Sequence, residues 1–318
     1  MNLIERIFDE PELRAAPPVL VDVGAAGGVH RVWRRIARHA IGVGFEPDAR
    51  DAAALSGAQR EFRRWIFCPV LAAPTTPPTG KLPFHFTRSP QCSSILPPNQ
   101  SPLREWAFVD QFEVLRTEAV TAMSLTGALE QAGLDRIDWL KCDTQGMDLK
   151  LYQSLPAPWR QQMLVAEFEP GFIDSYQGED HVADVLVAMK SEPFWLAGLT
   201  PGLTPRGRRD LMAAGWPAGI GPWLRRLAPP APAWAGLQFL RDVGRVPAIA
   251  DRRGWLLAWV FAVVAGQPGY ALTVAEEGRR RFGDPLFGDM AQESRRQLRW
   301  AMVGRAPGWL WRRLFRSS

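Results

Sequence analysis

The chain has 318 residues, 47% of them hydrophobic, and a formal net charge of +5. This length and apolar content are enough to bury a full hydrophobic core, with room for an appendage. The three cysteines, Cys68, Cys92 and Cys142, lie far apart in the sequence, which excludes a disulfide framework and a paired-cysteine metal site.

The start of the chain does not resemble a signal peptide. Its first ten residues are amphipathic and include three acids. The longest apolar run, residues 254–266, is too short to cross a bilayer. We therefore expect a cytoplasmic protein.

The first two-thirds of the chain alternate predicted strands with predicted helices. Apolar runs bounded by turn residues predict strands at 19–23, 41–45, 65–70, 139–142, 163–168, 194–199 and 236–240. Helical patterns predict helices at about 29–39, 48–59, 125–132 and 147–155. This alternation predicts an α/β fold with a mostly parallel seven-stranded sheet and flanking helices.

Two segments interrupt the alternation. Residues 71–104 are rich in proline, and residues 201–235 are rich in proline, tryptophan and arginine. A compact domain rarely carries so long an irregular insert without a functional reason. We therefore expect residues 71–104 to form a lid or substrate loop, and we expect substrate choice to reside in these two segments.

The last part of the chain is predicted to be helical and basic. Helical patterns occur at 255–265, 270–281, 292–303 and 309–315. Residues 246–318 hold twelve arginines and six acids, whereas residues 1–245 have a net charge of −1. The sequence thus predicts two domains, residues 1–245 and a helical extension of residues 246–318.

Two interpretations of this basic tail stay open. In residues 300–315, apolar side chains alternate with arginines, as is typical of an amphipathic helix at an anionic membrane surface. A helix packed on the protein with a solvated arginine face is the simpler explanation. Nucleic-acid binding is not expected, because no recognition motif is present and the first domain has no excess positive charge.

A glycine turn after the first strand indicates a nucleotide-type cofactor. Residues 19–28 (VLVDVGAAGG) predict a buried strand that carries Asp22 and leads into a turn at Gly24. The second strand delivers Glu46, 24 residues after Asp22, and Pro47 follows. Glycines let the backbone approach a ligand, and the acid binds ribose hydroxyls. The pattern predicts a site for an adenosine-containing cofactor.

Two cofactors fit this turn. A similar Gly-Ala-Ala-Gly-Gly sequence holds the NADP pyrophosphate in zinc-free quinone reductases, which have a long catalytic domain upstream and a basic residue at the second strand. Here only 18 residues precede the first strand, and Glu46 stands where the basic residue would be. S-adenosylmethionine carries no phosphate, so acids near the turn suit its charged end. A strand–turn–helix without a ligand is the third possibility.

A third motif gives the chain a family resemblance. Residues 134–146 (LDRIDWLKCDTQG) resemble the segment of FkbM-type methyltransferases that contains Lys-Ile-Asp-Val-Glu-Gly. A leucine-rich helix at 124–129 precedes it and an apolar strand at 164–169 follows it, as in that family. The resemblance covers about residues 17–245 in the same order. It implies a Rossmann-like class I methyltransferase fold that binds S-adenosylmethionine.

The resemblance also implies roles for particular residues. Asp22, Gly24 and Ala25 would line the methionine end of the cofactor. Glu46 would bind the ribose diol, and Pro47 would shape the turn beside it. In addition, Asp143 would lie at the tip of the fourth strand, close to the transferable methyl group.

The chain departs from the family pattern at three positions. The family commonly has an asparagine where Ala26 stands, an aspartate at Thr126 and a glutamate at Gln145. Some family members have glutamine at the last position. We therefore interpret Gln145 as compatible with activity.

Asp143 is the first candidate for a catalytic base. Methyl transfer to a hydroxyl requires a group that accepts the proton, and Asp143 could do this or orient the hydroxyl. Its structural alternative is a cap on the helix that begins near residue 147. His85 and His181 are weaker candidates that could reach the carboxyl ends of the strands, and a structural role is the expectation for both.

A metal site is not expected. Glu167 and Glu169 point to one side of their strand and could join Asp143 and His181 around an ion. No metal-binding motif supports such a site.

The expected function is S-adenosylmethionine-dependent O-methylation of a sugar, glycan, polyketide or related metabolite. The alternatives are an NAD(P)-dependent oxidoreductase and a non-catalytic methyltransferase-like scaffold whose tail binds a membrane or a partner. The acceptor would be a small molecule or glycan. Any membrane contact would be peripheral, through the C-terminal helix at the inner face, and the sequence does not indicate an oligomeric state.

Overall fold

The structure is a computed structural model that describes residues 2–25, 30–48, 50, 57–214, 228–245, 249 and 251–314. Side chains of the last helix are described through Ala301. The chain divides into two compact units, residues 18–245 and residues 1–17 together with 246–318. The sequence analysis assigned residues 1–17 to the first domain, whereas the structure groups them with the C-terminal helices.

The described strands all belong to the larger unit. They are β1 (Val19–Val23), β2 (Ile41–Phe45), β3 (Arg64–Cys68), β4 (Leu71–Ala73), β5 (Lys81–Thr87), β6 (Val114–Ser124), β7 (Trp139–Cys142), β8 (Val165–Phe168), β9 (Phe194–Pro205) and β10 (Pro230–Arg241).

The described helices are numbered along the whole chain. The smaller unit contains α1 (Leu3–Phe8), α2 (Pro11–Ala15), α10 (Arg252–Val264), α11 (Pro268–Phe282) and α12 (Pro285–Leu314). The larger unit contains α3 (Ala58–Glu61), α4 (Gln100–Leu103), α5 (Leu125–Gln131), α6 (Asp148–Ser154), α7 (Ala157–Gln162), α8 (Val182–Met189) and α9 (Arg209–Ala213).

Seven strands form one sheet in the order β3-β2-β1-β7-β8-β10-β9. All pairs from β3 to β8 are parallel, whereas β10 runs antiparallel to both of its neighbours. This confirms the predicted α/β fold with a mostly parallel seven-stranded sheet, in a Rossmann-like arrangement. The strand order reverses between β1 and β7. Open α/β sheets bind ligands beside such a reversal, at the carboxyl ends of the strands.

The centre of the sheet is buried on both faces, which explains the continuous apolar runs of β1 and β7. Their side chains join those of β2, β8, β10 and helices α5, α6 and α8 in one core. Asp22 and Lys141 interrupt this apolar pattern. They face each other in register on adjacent strands, with 2.9 Å between Lys141 Nζ and Asp22 Oδ1. The buried charges are tolerated because they pair.

The proline-rich insert is more regular than its sequence predicts. Residues 71–104 contribute β4 and β5, which lie on either side of β6 in a second, three-stranded sheet. Pro83 is accommodated because β5 is an edge strand. The sequence analysis missed β6 because its first half is exposed and therefore carries no apolar alternation.

The hairpin of β9 and β10 is also longer than predicted. The predicted strands 194–199 and 236–240 are the parts nearest the core, and both strands continue outward as a paired ribbon. Prolines in the outer half concealed this extension. Residues 215–227, which lie between α9 and β10, are outside the described part of the chain.

One predicted helix differs in type. The helix expected over 29–39 consists, in its described part, of two short 3₁₀ helices at Arg31–Arg35 and Ala37–His39. The helix expected at 48–59 falls mostly outside the described residues, which include α3 at its end. The helices expected at 125–132 and 147–155 are confirmed as α5 and α6.

In the smaller unit, a partly buried arginine network joins residues 1–17 to the C-terminal helices. Arg252 binds Glu10 at 2.8 Å and also binds Glu12 and Asp284. Arg253 donates to the Ala16 carbonyl at 2.8 Å. The N-terminal segment is therefore bound to the C-terminal helices of this unit.

The predicted helices at 255–265 and 270–281 are confirmed as α10 and α11, whereas those at 292–303 and 309–315 form the single helix α12. Most side chains of residues 300–315 lie outside the described part of the chain, so the membrane interpretation stays a prediction. Within the described residues, no helix combines the length and the apolar character needed to cross a membrane.

Gly24 is expected to be indispensable for stability. Its φ is +80°, and a Cβ there would lie 2.0 Å from the Asp143 carbonyl oxygen. Gly24→Ala should destabilise the protein by about 3 kcal/mol or more, through backbone strain and steric overlap. The measurement is urea unfolding. Gly133→Ala is the matched control, because Gly133 has φ +76° with no atom within 4 Å of the added Cβ, and its cost should be about 1 kcal/mol. Equal costs would contradict the steric part of this prediction.

Candidate functional site

A cavity of about 360 Å³ lies at the carboxyl ends of the central strands of the larger unit. Four neighbouring strands each deliver a residue to its wall, namely Gly24 after β1, Glu46 after β2, Asp143 after β7 and Glu169 after β8. Gly24, Glu46, Pro47 and Asp143 were predicted site residues, and the structure brings all four to one cavity. The volume lies within the range of small-molecule sites.

The turn after β1 is fixed by its main chain. The N–H groups of Gly24 and Ala25 both donate to the Phe45 carbonyl, at 3.0 and 3.1 Å, which joins the ends of β1 and β2. The close approach of Gly24 to Asp143 joins β1 to β7. The side chain of Ala25 is buried and is not among the described lining residues. The rest of the predicted glycine turn, residues 26–28, lies outside the described residues.

Glu46 is buried at the end of β2, with only 6% of its surface exposed. Its Oε1 accepts a hydrogen bond from the Asp48 N–H at 2.7 Å, and Pro47 lies beside it on the cavity wall. The hydrogen bond fixes the carboxylate next to the turn at Gly24. This is the arrangement that the spacing of the two motifs predicts.

Asp22 does not reach the described cavity wall, so its predicted contact with the cofactor is not supported directly. Asp22 lies within β1, one residue before the end of the strand, and there it pairs with Lys141. The Nζ of Lys141 also lies 3.7 Å from Asp143 Oδ2. Burial lowers the pKa of Lys141, but the charges of Asp22 and Asp143 outweigh burial and raise it overall. Lys141 is therefore a permanent cation behind the cavity.

Asp143 is held at the cavity by its neighbours and does not cap α6. Its Oδ1 accepts a hydrogen bond from Gln145 Nε2 at 2.7 Å. The N-cap of α6 is Met147, which makes no side-chain cap hydrogen bond. Asp148 instead holds this region together, since its carboxylate accepts hydrogen bonds from the backbone N–H groups of Thr144 and Glu169.

Glu169 forms a carboxyl pair with Asp143. Burial and the nearby charge of Asp143, followed by a hydrogen bond between the two side chains, raise the pKa of Glu169 to about 8. Lys141 opposes this shift, and Asp148 adds to it. The Trp234 indole donates to Glu169 Oε1 at 2.9 Å. At neutral pH Glu169 therefore carries a proton inside the cavity.

The loop after Asp143 is strained. Gln145 has φ 57°, which is uncommon for a residue other than glycine. Three contacts hold it: its amide donates to Asp143, its Oε1 accepts from the Tyr176 hydroxyl at 3.0 Å, and its carbonyl accepts from the Ser94 hydroxyl at 2.8 Å. Strain of this kind persists where surrounding contacts enforce it, commonly at functional sites.

Ser93 and Ser94, which the insert contributes, have structural contacts. The Ser93 hydroxyl accepts from the Thr87 N–H at 3.1 Å. The Ser94 hydroxyl donates to Gln145 and accepts from the Leu96 N–H at 3.0 Å. These bonds attach the insert to the loop after β7.

Residues 171–179 form another part of the wall. The Glu179 Oε1 accepts from the Tyr176 N–H at 3.0 Å, and burial raises the pKa of Glu179 to about 7. Ser175 is only 7% exposed and lines the cavity, and its hydroxyl forms no hydrogen bond with another described residue. This segment therefore offers two polar groups to a ligand.

Aromatic rings complete the wall. Phe108 stacks on Trp234 with ring centres 6.0 Å apart and an angle of 25° between the planes. Phe112 lies edge-on to Phe108 at 5.0 Å and tilted against Tyr176 at 5.5 Å. The segment between the insert and β6 thus contributes rings that meet the β10 tryptophan beside the acids.

The charge of the described wall is one-sided. It contains the carboxyl groups of Glu46, Asp143, Glu169 and Glu179, and no lysine, arginine or histidine is among the described lining residues. Such a wall attracts a cation and repels a phosphate.

Neither candidate histidine belongs to the described wall. His85 Nδ1 lies 3.0 Å from Thr117 Oγ1 on the second sheet. His181 Nε2 lies 3.0 Å from Asp174 Oδ1, next to the start of α8. The expected structural roles fit these positions, and the catalytic alternatives have no geometric support here.

The two strand-end glutamates do not converge on one ion. Glu167 lies 3.3 Å from His30 Nε2 and accepts hydrogen bonds from Trp139 and Gln238 at 2.8 and 2.9 Å. Glu169 faces the cavity instead. Within the described residues, no group of three or more histidine, cysteine or acidic side chains has the arrangement of a metal site.

Comparisons with models of known protein families, with curated proteins and with solved structures find no match to this chain. The site must therefore be interpreted from its own geometry.

Sequence reasoning missed several residues of the wall. Glu169 was considered as a metal ligand, or as one of two carboxylates that could touch substrate or a loop backbone, but it was not assigned to the site, although its position after a buried strand is the same signal that identified Asp143. Glu179 and Trp234 gave no local signal, because they reach the cavity from segments without a recognisable pattern.

The pKa of Glu169 should depend on the charge of Asp143, and this dependence can be tested. In Asp143→Asn the like charge is removed, so the pKa of Glu169 should fall from about 8 toward its ordinary value of 4.5. The measurement is a pH titration followed by NMR with ¹³C-labelled glutamate side chains, with Glu169→Gln identifying the signal. An unchanged pKa would show that burial alone raises it.

Proposed function

We propose that this chain is an S-adenosylmethionine-dependent methyltransferase acting on a hydroxyl of a small molecule or glycan. The observation that carries the proposal is the meeting of Gly24, Glu46 and Asp143 at one acid-lined cavity. These residues come from separate motifs, and each motif resembles the corresponding segment of FkbM-type methyltransferases. The resemblance predicts that these three residues meet at one site, and the cavity is consistent with that prediction.

The wall suits the charge and shape of this methyl donor. S-adenosylmethionine has a sulfonium, an ammonium and one carboxylate, so its net charge is positive. Glu46 offers a buried carboxylate for the ribose hydroxyls. Gly24 packs against the Asp143 carbonyl, where a side chain would overlap, and this close approach places the turn after β1 at the cavity wall next to Glu46. Both features support an adenosyl group at the ends of β1 and β2.

An NAD(P)-dependent oxidoreductase is the less favoured function. A dinucleotide carries a pyrophosphate, and the described wall offers four carboxyl groups and no basic side chain to it. The sheet also ends in the antiparallel strand β10, whereas the common dinucleotide-binding sheet has the strand order 3-2-1-4-5-6. Sheet order alone does not decide function, so the charge of the wall has more weight.

The proposed reaction needs a proton acceptor. When bound, S-adenosylmethionine supplies a methyl carbon that forms a bond to the acceptor oxygen as its bond to sulfur breaks and leaves the electron pair on sulfur. The hydroxyl proton passes to the carboxyl pair of Asp143 and Glu169. Gln145 donates a hydrogen bond to Asp143 at the cavity wall, and the Lys141 ammonium lies 3.7 Å from the other carboxylate oxygen.

Cofactor binding tests the proposal. Calorimetry should show S-adenosylmethionine binding to the full chain, and Glu46→Gln should weaken it by about 2 kcal/mol, or roughly thirtyfold, through loss of charged hydrogen bonds. The amide can still accept the Asp48 N–H, so folding should be retained. Glu130→Gln is the matched control, because Glu130 is exposed on α5.

Two results would contradict the proposal. Unchanged binding by Glu46→Gln would remove the assignment of the ribose site. Binding of NADP without binding of S-adenosylmethionine would favour the oxidoreductase.

A further inference from the structure

The acids of the wall fall into two groups along the sheet edge. Glu46 follows β2, whereas Glu169 follows β8, three strand positions away in the order β2-β1-β7-β8. With strands about 4.8 Å apart, the two ends are separated by roughly 14 Å. Glu179 lies on the β8 side, because Cβ atoms added at Gly146 and Gly171 would lie 2.7 Å from its Cβ and 3.0 Å from its Oε2.

Under the proposed function, the β2 side holds the adenosyl group and the β8 side remains for the acceptor. The acceptor side is acidic and aromatic. Asp143 and Glu169 pair with each other there, and Glu179 is a separate carboxyl group of the wall. Among the described residues Glu179 forms no ion pair, and its Oε2 lies close to Gly171, where an added Cβ would be 3.0 Å away.

A second observation points to a ligand at this carboxyl group. Ser175 is 93% buried, lines the same part of the wall and directs no hydrogen bond to a described residue. Phe112 and Tyr176 lie in contact next to it. A carboxylate, a hydroxyl and aromatic faces together are the groups that bind an organic ammonium ion, through charge, hydrogen bonding and cation–π attraction.

We propose that the methyl acceptor is a hydroxylated compound that also bears a protonated amine, and that Glu179 and Ser175 bind this ammonium group beside the aromatic rings. The assignment rests on the proposed function for the location of the acceptor. It excludes acceptors that carry a phosphate or a carboxylate in this region, since the wall would repel either group.

A matched set of small probes tests the charge preference. The probes are trans-4-aminocyclohexanol, trans-cyclohexane-1,4-diol and trans-4-hydroxycyclohexanecarboxylate, which share a ring and a hydroxyl and differ in charge. Calorimetry uses the full chain at about pH 8, where Glu179 is ionised and an alkylamine remains protonated. The amine should bind about tenfold more tightly than the diol, and the carboxylate should bind most weakly.

Two variants test whether Glu179 is responsible for the preference for the amine. Glu179→Gln should reduce the affinity for the amine to that for the diol, whereas Glu130→Gln should change neither. Equal affinity for the three probes, tightest binding of the carboxylate or no binding of the amine would each overturn the proposal.

Binding of S-adenosylmethionine distinguishes a failure of this proposal from a failure of the proposed function. Binding of S-adenosylmethionine should be unaffected by Glu179→Gln. If this variant loses affinity for S-adenosylmethionine and for the amine equally, Glu179 binds the ammonium of the cofactor, and only the acceptor assignment fails. If the chain does not bind S-adenosylmethionine while the amine still depends on Glu179, the ammonium site stands and the methyltransferase function fails.

Discussion

The contact between the turns after β1 and β7 is the constraint on which the site depends. Gly24 has a positive φ and packs against the carbonyl oxygen of Asp143, so the two loops leave the sheet at adjacent points. Hydrogen bonds from the Gly24 and Ala25 N–H groups to Phe45 extend this constraint to β2. Glu46 and Asp143 therefore stand on either side of one turn. Their separation is set by the main chain of the sheet, which is the most rigid part of an α/β domain.

This placement has an electrostatic consequence. Asp143 and Glu169 follow adjacent strands, where burial and the nearby charge of Asp143 raise the pKa of Glu169 to about 8 and keep it protonated at neutral pH. Lys141 offsets part of their charge from behind, but it is already paired with Asp22 in the sheet. The described wall therefore keeps an excess of acid. That excess is the physical reason for proposing a sulfonium methyl donor and not a dinucleotide, since a pyrophosphate would add negative charge beside acids that Lys141 compensates only in part.

The parts of the fold that the sequence could predict are those with local signals. β1, β2 and β7 are continuous apolar runs with turn residues at their ends, and the acids at those ends followed from the same pattern. β6 was missed because its exposed first half lacks alternation, and the outer half of the β9–β10 hairpin was hidden by prolines at positions an edge ribbon tolerates. Trp234 and Glu179 join Asp143 at the cavity wall only because the chain folds, and no spacing in the sequence encodes their position there.

The raised pKa values at Glu169 and Glu179 also couple ligand binding to protons. A buried carboxyl group that is protonated near neutral pH must lose its proton before it pairs with a cation. A bound cation stabilises the ionised form, lowers the pKa and expels the proton. The affinity for a cationic ligand should therefore rise as the pH increases through 7 to 8, until these groups are ionised without it. A neutral ligand gains nothing from that ionisation. Burial disfavours the ionised forms of these acids when no ligand is bound. A cationic ligand would reverse this effect, so the same acids would make the cavity selective for cations.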